Sequence, residues 1–138
     1  MAIIFDAIRA VVAQTRSGDR NRVLIVEDNT DLARMIGLLL RHCGFDVKLA
    51  HDGRVVLAVA RAFRPHFILL DIALPGLDGC HVAELLRADH DLDDVVIIAL
   101  TAYAPEAVAD RCIRGAFNFH LTKPASLEDL LALMMPRR

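Results

Sequence analysis

The sequence predicts a doubly wound α/β domain, in which helices cover both faces of a parallel sheet. Three short segments, 23–26, 67–70 and 95–100, are continuously apolar, as expected for strands that are covered on both sides. Segments with apolar residues at helical spacing separate them, so that strand and helix alternate from residue 22 onward. Right-handed crossovers between such strands produce one parallel sheet.

The first half of this domain contains two strands and two helices. A strand over 22–27 precedes a helix that begins near Thr30. The apolar residues of this helix recur at the spacing of one helical face: Leu32, Met35, Ile36, Leu39, Leu40 and Cys43. Gly44 is well placed to end the helix, because glycine readily adopts the left-handed conformation found there. A strand over about 45–50 and a helix over about 54–64 follow.

The second half contains three strands and three helices. We predict strands over 67–71, 95–100 and 117–121, and helices over about 79–89, from Pro105 to about 114, and from about Ser126 onward. Proline is favoured in the first turn of a helix, which supports the start at Pro105. Asp129 follows Ser126 by three residues, a spacing that indicates a capping box at the start of the last helix.

Residues 1–20 form an extension before the domain, which we place at 21–138. Within the extension, 3–14 predict a short amphipathic helix followed by a polar linker. Ile4, Ile8 and Val11 share one stripe, which Ile3, Phe5, Ala7 and Val12 widen. A helix of this length is marginal alone, so we expect it to dock on its own domain or to pair with a second copy. We favour the homodimer slightly.

The bulk composition excludes several classes of protein. The net charge of -2 provides no general attraction to nucleic acid or to an anionic membrane. The N-terminus lacks the basic region of a secretory leader, and no apolar run approaches the roughly 18 residues of a membrane span. We therefore expect a cytoplasmic protein that binds neither membrane nor nucleic acid. Because little follows the last predicted helix, we expect a stand-alone domain.

Polar residues end four of the apolar runs. Glu27-Asp28 follow the first strand, Asp71 ends the third, Thr101 follows the fourth and Lys123 follows the fifth. The carboxyl ends of parallel strands meet at one edge of the sheet, where ligands bind. Carboxylate oxygens suit Mg²⁺, and a lysine supplies a fixed positive charge. Each residue alone has an ordinary explanation, such as a solvated loop acid or a helix cap, but together they predict one site.

Four motifs carry a close resemblance to a known family. They are Val23-Leu24-Ile25-Val26-Glu27-Asp28-Asn29, Asp71 with Leu74-Pro75-Gly76-Leu77-Asp78-Gly79, Ala99-Leu100-Thr101-Ala102, and Leu121-Thr122-Lys123-Pro124. In order and spacing they resemble the receiver domain of two-component response regulators, over about 22–135. The resemblance implies a flavodoxin-like fold with strand order 2-1-3-4-5 and five flanking helices.

The resemblance also implies the role of each site residue. Asp71 would accept a phosphoryl group from a phosphohistidine, with Mg²⁺ as the cofactor. The implied metal ligands are Glu27, Asp28, Asp71 and the backbone carbonyl of Ala73. Lys123 and Thr101 would bind phosphoryl oxygens, and a cis bond before Pro124 would aim Lys123 into the site.

The family further implies how the signal would leave the site. Thr101 moves toward the phosphate and the residue at position 120 turns inward, which alters the face formed by the helix at 105–114, the fifth strand and the last helix. His120 departs from the commoner Tyr or Phe and is similar to receivers of hybrid kinases. Ala73 and Tyr103 occupy positions that tune phosphate lifetime, and both predict slow self-dephosphorylation.

The implied partners are a sensor histidine kinase or phosphotransfer protein and a downstream protein target, in a bacterial phosphorelay. Two alternatives stay open. A pseudo-receiver would act as a scaffold without phosphorylation, although the intact set of site residues disfavours it. An aspartyl phosphatase of the haloacid-dehalogenase type would need a second acid two residues after its nucleophile, where this chain has Ala73.

Overall fold

The computed structural model describes residues 21–74, 77–102 and 116–134. Three sequence predictions lie outside these residues: the helix over 3–14, the position of Tyr103 and the helix over 105–114. The boundary between the extension and the domain, at residues 20 and 21, stays a prediction.

Five parallel strands form one sheet in the order β2-β1-β3-β4-β5, which confirms the predicted fold and strand order. The strands are β1 (Arg22–Val26), β2 (Asp46–Ala50), β3 (Phe67–Asp71), β4 (Val96–Thr101) and β5 (Phe119–Thr122). The register pairs Val26 with Ala50 and with Leu70, and it pairs Asp71 with Leu100. The carboxyl ends of neighbouring strands are therefore level.

Three α-helices connect strands in the described part of the chain: α1 (Thr30–His42), α2 (Val56–Phe63) and α3 (Gly79–Ala88). A fourth helix, α4 (Leu127–Met134), follows the last strand. Short 3₁₀ turns lie at Gly53–Val55 and His90–Leu92. None of the helices within the described ranges is long and apolar enough to cross a membrane.

Side chains and one glycine set the helix ends that the sequence predicts. Asn29 caps α1 by accepting from the Leu32 N–H at 3.1 Å. At the other end of α1, Gly44 has a φ of 95°, a conformation that glycine adopts without steric cost. Ser126 and Asp129 form the expected capping box, since the Asp129 N–H donates to Ser126 Oγ at 3.1 Å and the Ser126 N–H donates back to the Asp129 carboxylate at 3.4 Å.

Two predicted boundaries need correction. The fifth strand begins at Phe119 rather than at 117, because the Asn118 side chain accepts the Ile97 N–H at 2.7 Å in place of a strand carbonyl. The single helix expected over about 54–64 is a 3₁₀ turn followed by α2, which ends where Arg64 adopts a left-handed φ of 54°.

The sheet separates two apolar cores. On one side, α2 and α3 cover side chains that alternate along the strands, among them Leu24, Ile68 and Ile97. On the other side, α1 and α4 cover the intervening residues, such as Leu69 and Ile98. The central strands are thus buried on both faces, which explains their uninterrupted apolar sequences.

Replacement of Leu69 by Ala tests this packing. Leu69 is fully buried in β3, so we expect Leu69→Ala to lower the free energy of unfolding by about 2–5 kcal/mol. Urea unfolding followed by circular dichroism measures the change. The same truncation at Leu85, which is 37% exposed on α3, serves as the control and should cost much less. Equal losses in the two variants would contradict the described core.

Candidate functional site

Glu27 and Asp28 follow β1 directly, and they differ in burial. The Glu27 N–H extends the ladder of β1 by donating to the Ala50 carbonyl at 3.0 Å. Glu27 is 2% exposed, whereas Asp28 is exposed. Because Asn29 supplies the cap of α1, the Asp28 carboxylate is not used for that purpose. The first strand therefore ends in one buried and one accessible carboxylate.

Asp71 ends β3, the strand at the centre of the sheet, and it is only 5% exposed. Its Oδ1 accepts a hydrogen bond from the Ala73 N–H at 3.1 Å. Helix capping does not occupy Asp71, because Asp78 caps α3 by accepting from the Cys80 N–H at 2.8 Å. The Asp71 carboxylate is therefore not taken up by the start of α3.

Gly79 allows α3 to begin directly against the phosphoacceptor candidate. A Cβ atom at Gly79 would lie 2.5 Å from the Asp71 carbonyl oxygen and 2.6 Å from the Ile72 Cα. Real Cβ atoms do not approach backbone so closely, so another residue would displace the segment that carries Asp71. The Gly79 N–H also donates to the Ile72 carbonyl at 3.0 Å. Glycine at this position is therefore part of what places Asp71.

Lys123 joins the two buried carboxylates. Its Nζ donates to Glu27 Oε1 at 2.8 Å and to Asp71 Oδ2 at 3.0 Å. The Lys123 N–H donates to the Thr101 carbonyl at 2.7 Å, which ties the residue to the end of β4. The bond between Lys123 and Pro124 is cis, the isomer that the sequence motif led us to expect. Groups from the first, third and fifth strands thus meet at one point.

Burial and charge strongly perturb this cluster. Burial, and after it the neighbouring Asp71, raise the pKa of Glu27 from 4.5 to about 7, against the opposing effect of Lys123. Burial opposes the charged form of Lys123 as well, but its hydrogen bonds with Glu27 and Asp71 outweigh this effect and raise the lysine pKa. The lysine therefore stays charged while it partly offsets the cost of two buried acids.

The carboxylates also form a candidate cation site. One oxygen each from Glu27, Asp28 and Asp71 lies within 4.8 Å of the others. Glu27 Oε2 is buried and accepts no hydrogen bond in the structure. Such an oxygen is costly to leave unsatisfied, and a bound cation would satisfy it. An all-oxygen set of this kind fits Mg²⁺ or Ca²⁺.

Thr101 and His120 lie on neighbouring strands at the same end of the sheet. Thr101 is 2% exposed and ends β4, and it pairs with Thr122 of β5. His120 pairs with Ala99, two residues earlier on β4. Its ring lies 5.3 Å from the Phe117 ring, centroid to centroid, and burial lowers the pKa of the imidazole. The neutral ring is therefore favoured at pH 7.

The structure brings most of the predicted site residues together. Glu27, Asp28, Asp71 and Lys123 converge through their side chains, while Thr101 and Ala73 are joined to the cluster by backbone hydrogen bonds. The Ala73 carbonyl stays a predicted metal ligand.

Sequence reasoning missed His51 at the margin of the site. Its Nδ1 donates to the Glu27 carbonyl at 3.0 Å. His51 directly follows β2, at the same edge of the sheet, and this position could have predicted its place beside the site. The close contact of Gly79 with Asp71 was also missed, because a glycine within a turn motif carries no sign of what it packs against.

Comparison with known proteins agrees with this geometry. The fold is flavodoxin-like and matches solved CheY-like receivers, including the chemotaxis response regulator CheY4 of Vibrio cholerae, with a TM-score of 0.75 and 26% identity over 83% of this chain and 96% of that chain. The family model for the response regulator receiver domain matches residues 23–135. The chain therefore belongs to the response regulator receiver domain family, which is a signalling family rather than a family of conventional enzymes.

Two similar structures contain groups that bear on the site. The receiver domain of the sensor histidine kinase PA1611 from Pseudomonas aeruginosa, with a magnesium ion coordinated in the active-site cleft, is 34% identical and has a TM-score of 0.76, covering 84% of this chain and 95% of that one. A response regulator from Burkholderia pseudomallei with a phosphorylated aspartic acid and a calcium ion is 29% identical, with a TM-score of 0.75, over 83% of this chain and 66% of that one.

Curated relatives are longer proteins. The DNA-binding response regulator MtrA of Mycobacterium tuberculosis is 35% identical over 118 residues, which is 86% of this chain and 50% of the relative. The chain thus spans about half the length of the curated relatives that it matches.

The raised pKa of Glu27 predicts a dependence of stability on pH. Between the ordinary pKa of 4.5 and about 7 the native state binds more protons than the unfolded state, so the free energy of unfolding falls as pH rises through this range. In EDTA, we compare the free energy of unfolding of Glu27→Gln with that of wild type. We expect the difference, variant minus wild type, to rise by on the order of 2 kcal/mol from pH 5 to pH 8. Urea unfolding at both pH values measures this rise.

The control for this experiment is Glu128→Gln. It makes the same chemical change at an exposed position of α4 and should show no comparable dependence on pH. A Glu27→Gln variant whose stability difference from wild type is equal at pH 5 and pH 8 would contradict the raised pKa.

Proposed function

We propose that this receiver domain accepts a phosphoryl group on Asp71 from the phosphohistidine of a sensor kinase or phosphotransfer protein. One observation carries the proposal. The Asp71 carboxylate lies at the carboxyl end of the central strand, held by Lys123 at 3.0 Å and grouped with Glu27 and Asp28 within 4.8 Å. This arrangement supports the proposal, because the transfer needs a carboxylate oxygen as nucleophile, a nearby cation and further oxygens for a metal ion.

The reaction follows from these groups. A carboxylate oxygen of Asp71 attacks phosphorus while the P–N bond of the phosphohistidine breaks, so that an acyl phosphate forms and the partner's imidazole leaves. Two anions approach each other in this step, and catalysis is therefore mainly positioning and charge compensation. An ammonium group has three N–H donors, of which Lys123 uses two on Glu27 and Asp71. The third is available for a phosphoryl oxygen.

Magnesium fits the acidic residues as the cofactor. Glu27, Asp28, Asp71 and the Ala73 carbonyl would hold it, and the buried Glu27 Oε2 supports this assignment. When bound, Mg²⁺ would offset the negative charge shared by the carboxylates and the phosphoryl oxygens. The Thr101 hydroxyl would donate to another phosphoryl oxygen, since Thr101 ends the strand next to Asp71.

The conformational effect of phosphorylation would reach the protein surface through Thr101 and His120. Thr101 contacts the strand that carries His120, and the His120 ring packs on Phe117. Movement of Thr101 toward a phosphate would therefore favour a new position of the imidazole. The consequence is an altered face around β5 and α4 for a downstream protein.

Ala73 argues against turnover of free phosphate esters. A phosphatase with an aspartyl nucleophile needs a general acid near its leaving group, and Ala73 offers none two residues after Asp71. We propose a cytoplasmic signalling module whose chemistry is limited to its own phosphorylation and dephosphorylation. The net charge of -2 supports partners that are proteins rather than nucleic acid.

Intact mass after incubation with acetyl phosphate and Mg²⁺ tests the proposal. We expect one adduct of about 80 Da on the wild-type chain, and its loss in Asp71→Asn and in EDTA. Asp94→Asn makes the same change at an exposed carboxylate and should keep the adduct. Absence of an adduct on a folded wild-type chain, with acetyl phosphate and with a phosphorylated histidine-containing partner, would contradict the proposal and favour the pseudo-receiver scaffold.

Ala73 also predicts a long-lived phosphorylated state. Ala73 is exposed beside Asp71, and its methyl group cannot orient an attacking water. We expect Ala73→Asn to speed loss of the adduct by roughly tenfold, because an amide can position that water. The decay of the adduct mass with time measures the rate. Ala102→Asn, an exposed site after β4, is the control, and equal decay in Ala73→Asn and wild type would contradict the role of Ala73.

A further inference from the structure

An apolar groove runs between α1 and α4, on the face of the sheet away from α2 and α3. Its volume is about 320 Å³. The wall on α1 includes Leu32, Met35 and Leu39, and the opposite wall includes Pro124, Leu127 and Leu130. Several of the lining residues, among them Ile36, Leu127 and Leu130, also belong to the core that α1 and α4 share with the sheet.

The α1 side of this groove exposes an unusual amount of apolar surface. Met35 is 54% exposed, Leu39 is 37% exposed, and Leu38 beside them is 57% exposed. These three account for most of the large apolar side chains that are exposed within the described ranges; the others are Val55 and Leu85. A contiguous apolar patch of this kind indicates a surface that another segment covers.

The extension offers an occupant of matching chemistry and length. In the helix predicted from the sequence over 3–14, Ile4, Ile8 and Val11 would form an apolar stripe about 10 Å long. Leu32 and Leu39 are also seven residues apart along α1, so the two stripes have equal length. The polar residues Asp6 and Arg9 fall on the other side of such a helix.

The connection between extension and domain is long enough to reach the groove. The Asn21 carbonyl accepts the Asp46 N–H at 2.8 Å, so the described chain starts beside the residues that follow α1. Leu39 lies one turn before the end of α1, within about 20 Å of chain path from Asp46. The linker at 15–20 has six residues and spans about 20 Å when extended. Residue 14 can therefore reach the Leu39 end of the groove in the same molecule.

We propose that residues 3–14 bind in the groove between α1 and α4 of their own chain, with Ile4, Ile8 and Val11 facing α1. The short linker favours this arrangement over pairing with a second copy, since it keeps the segment at high effective concentration beside the groove. The inference does not depend on phosphorylation.

Docking there links the extension to the phosphoacceptor site. Lys123 lines the groove with its neighbour Pro124, and its Nζ binds Glu27 and Asp71. A docked segment would therefore lie beside Lys123 and cover Met35 and Leu39. It competes with any protein that binds this face of α1.

Methyl NMR of the full-length chain tests the proposal with labelled methionine. The Met35 methyl is the reporter, and the Met134 methyl, whose residue is 2% exposed, is the internal reference. A soluble paramagnetic agent relaxes exposed methyl groups more strongly. We expect the Met35 methyl to be shielded in wild type and to relax severalfold faster in Ile8→Asp. Ala13→Asp places the same charge opposite the stripe and should leave Met35 shielded.

Light scattering of the same samples decides between one chain and two. A monomeric mass, with Met35 shielding that does not change on dilution, is the result expected for docking within the chain. A dimeric mass with shielding that dilution removes would overturn the proposal in favour of exchange between copies. Equal relaxation of Met35 in wild type, Ile8→Asp and Ala13→Asp would also overturn it, because the groove would then be open to solvent in all three.

Discussion

The ion pairs of Lys123 with Glu27 and Asp71 are the interaction on which the site depends. Two carboxylates are buried at adjacent strand ends, and without a cation this arrangement would be strongly unfavourable. The lysine comes from the far edge strand of the sheet, so only the completed fold brings it to the acids. Even with the lysine in place, the pKa of Glu27 is raised to about 7 and one of its oxygens has no hydrogen-bond partner. The three carboxylates of the site outnumber its single lysine, and a divalent cation would compensate the remaining negative charge.

The same cluster explains why the surrounding scaffold is built as it is. β3 is buried on both faces and ends at Asp71, so the proposed nucleophile lies on a rigid central strand rather than on a loop. Gly79 lets α3 start against the Asp71 carbonyl, and the Ala73 N–H fixes one carboxylate oxygen. These contacts all act on the same residue, Asp71. They hold one aspartate in place while leaving the exposed Asp28 and the third lysine proton available to a ligand.

The groove between α1 and α4 and the acidic site share one residue, Lys123. Lys123 lines the groove, and its Nζ binds Glu27 and Asp71. A segment bound in the groove, as proposed for the extension, would therefore lie next to the residue that holds Asp71. This proximity would couple the extension to the proposed phosphoacceptor through a single side chain.

The fold class, the order of the elements and the acidic and basic candidates for the site could all be predicted from the sequence. This was possible because fully buried strands leave uninterrupted apolar runs, and because each site residue stands directly after such a run. The three-dimensional packing was needed to show which oxygens Lys123 binds, how far burial shifts the pKa of Glu27, and that His51 and Gly79 contact the site. It also decided the start of β5, where Asn118 replaces a strand hydrogen bond through its side chain. These features depend on distances between residues far apart in the chain, which periodicity and spacing along the sequence do not contain.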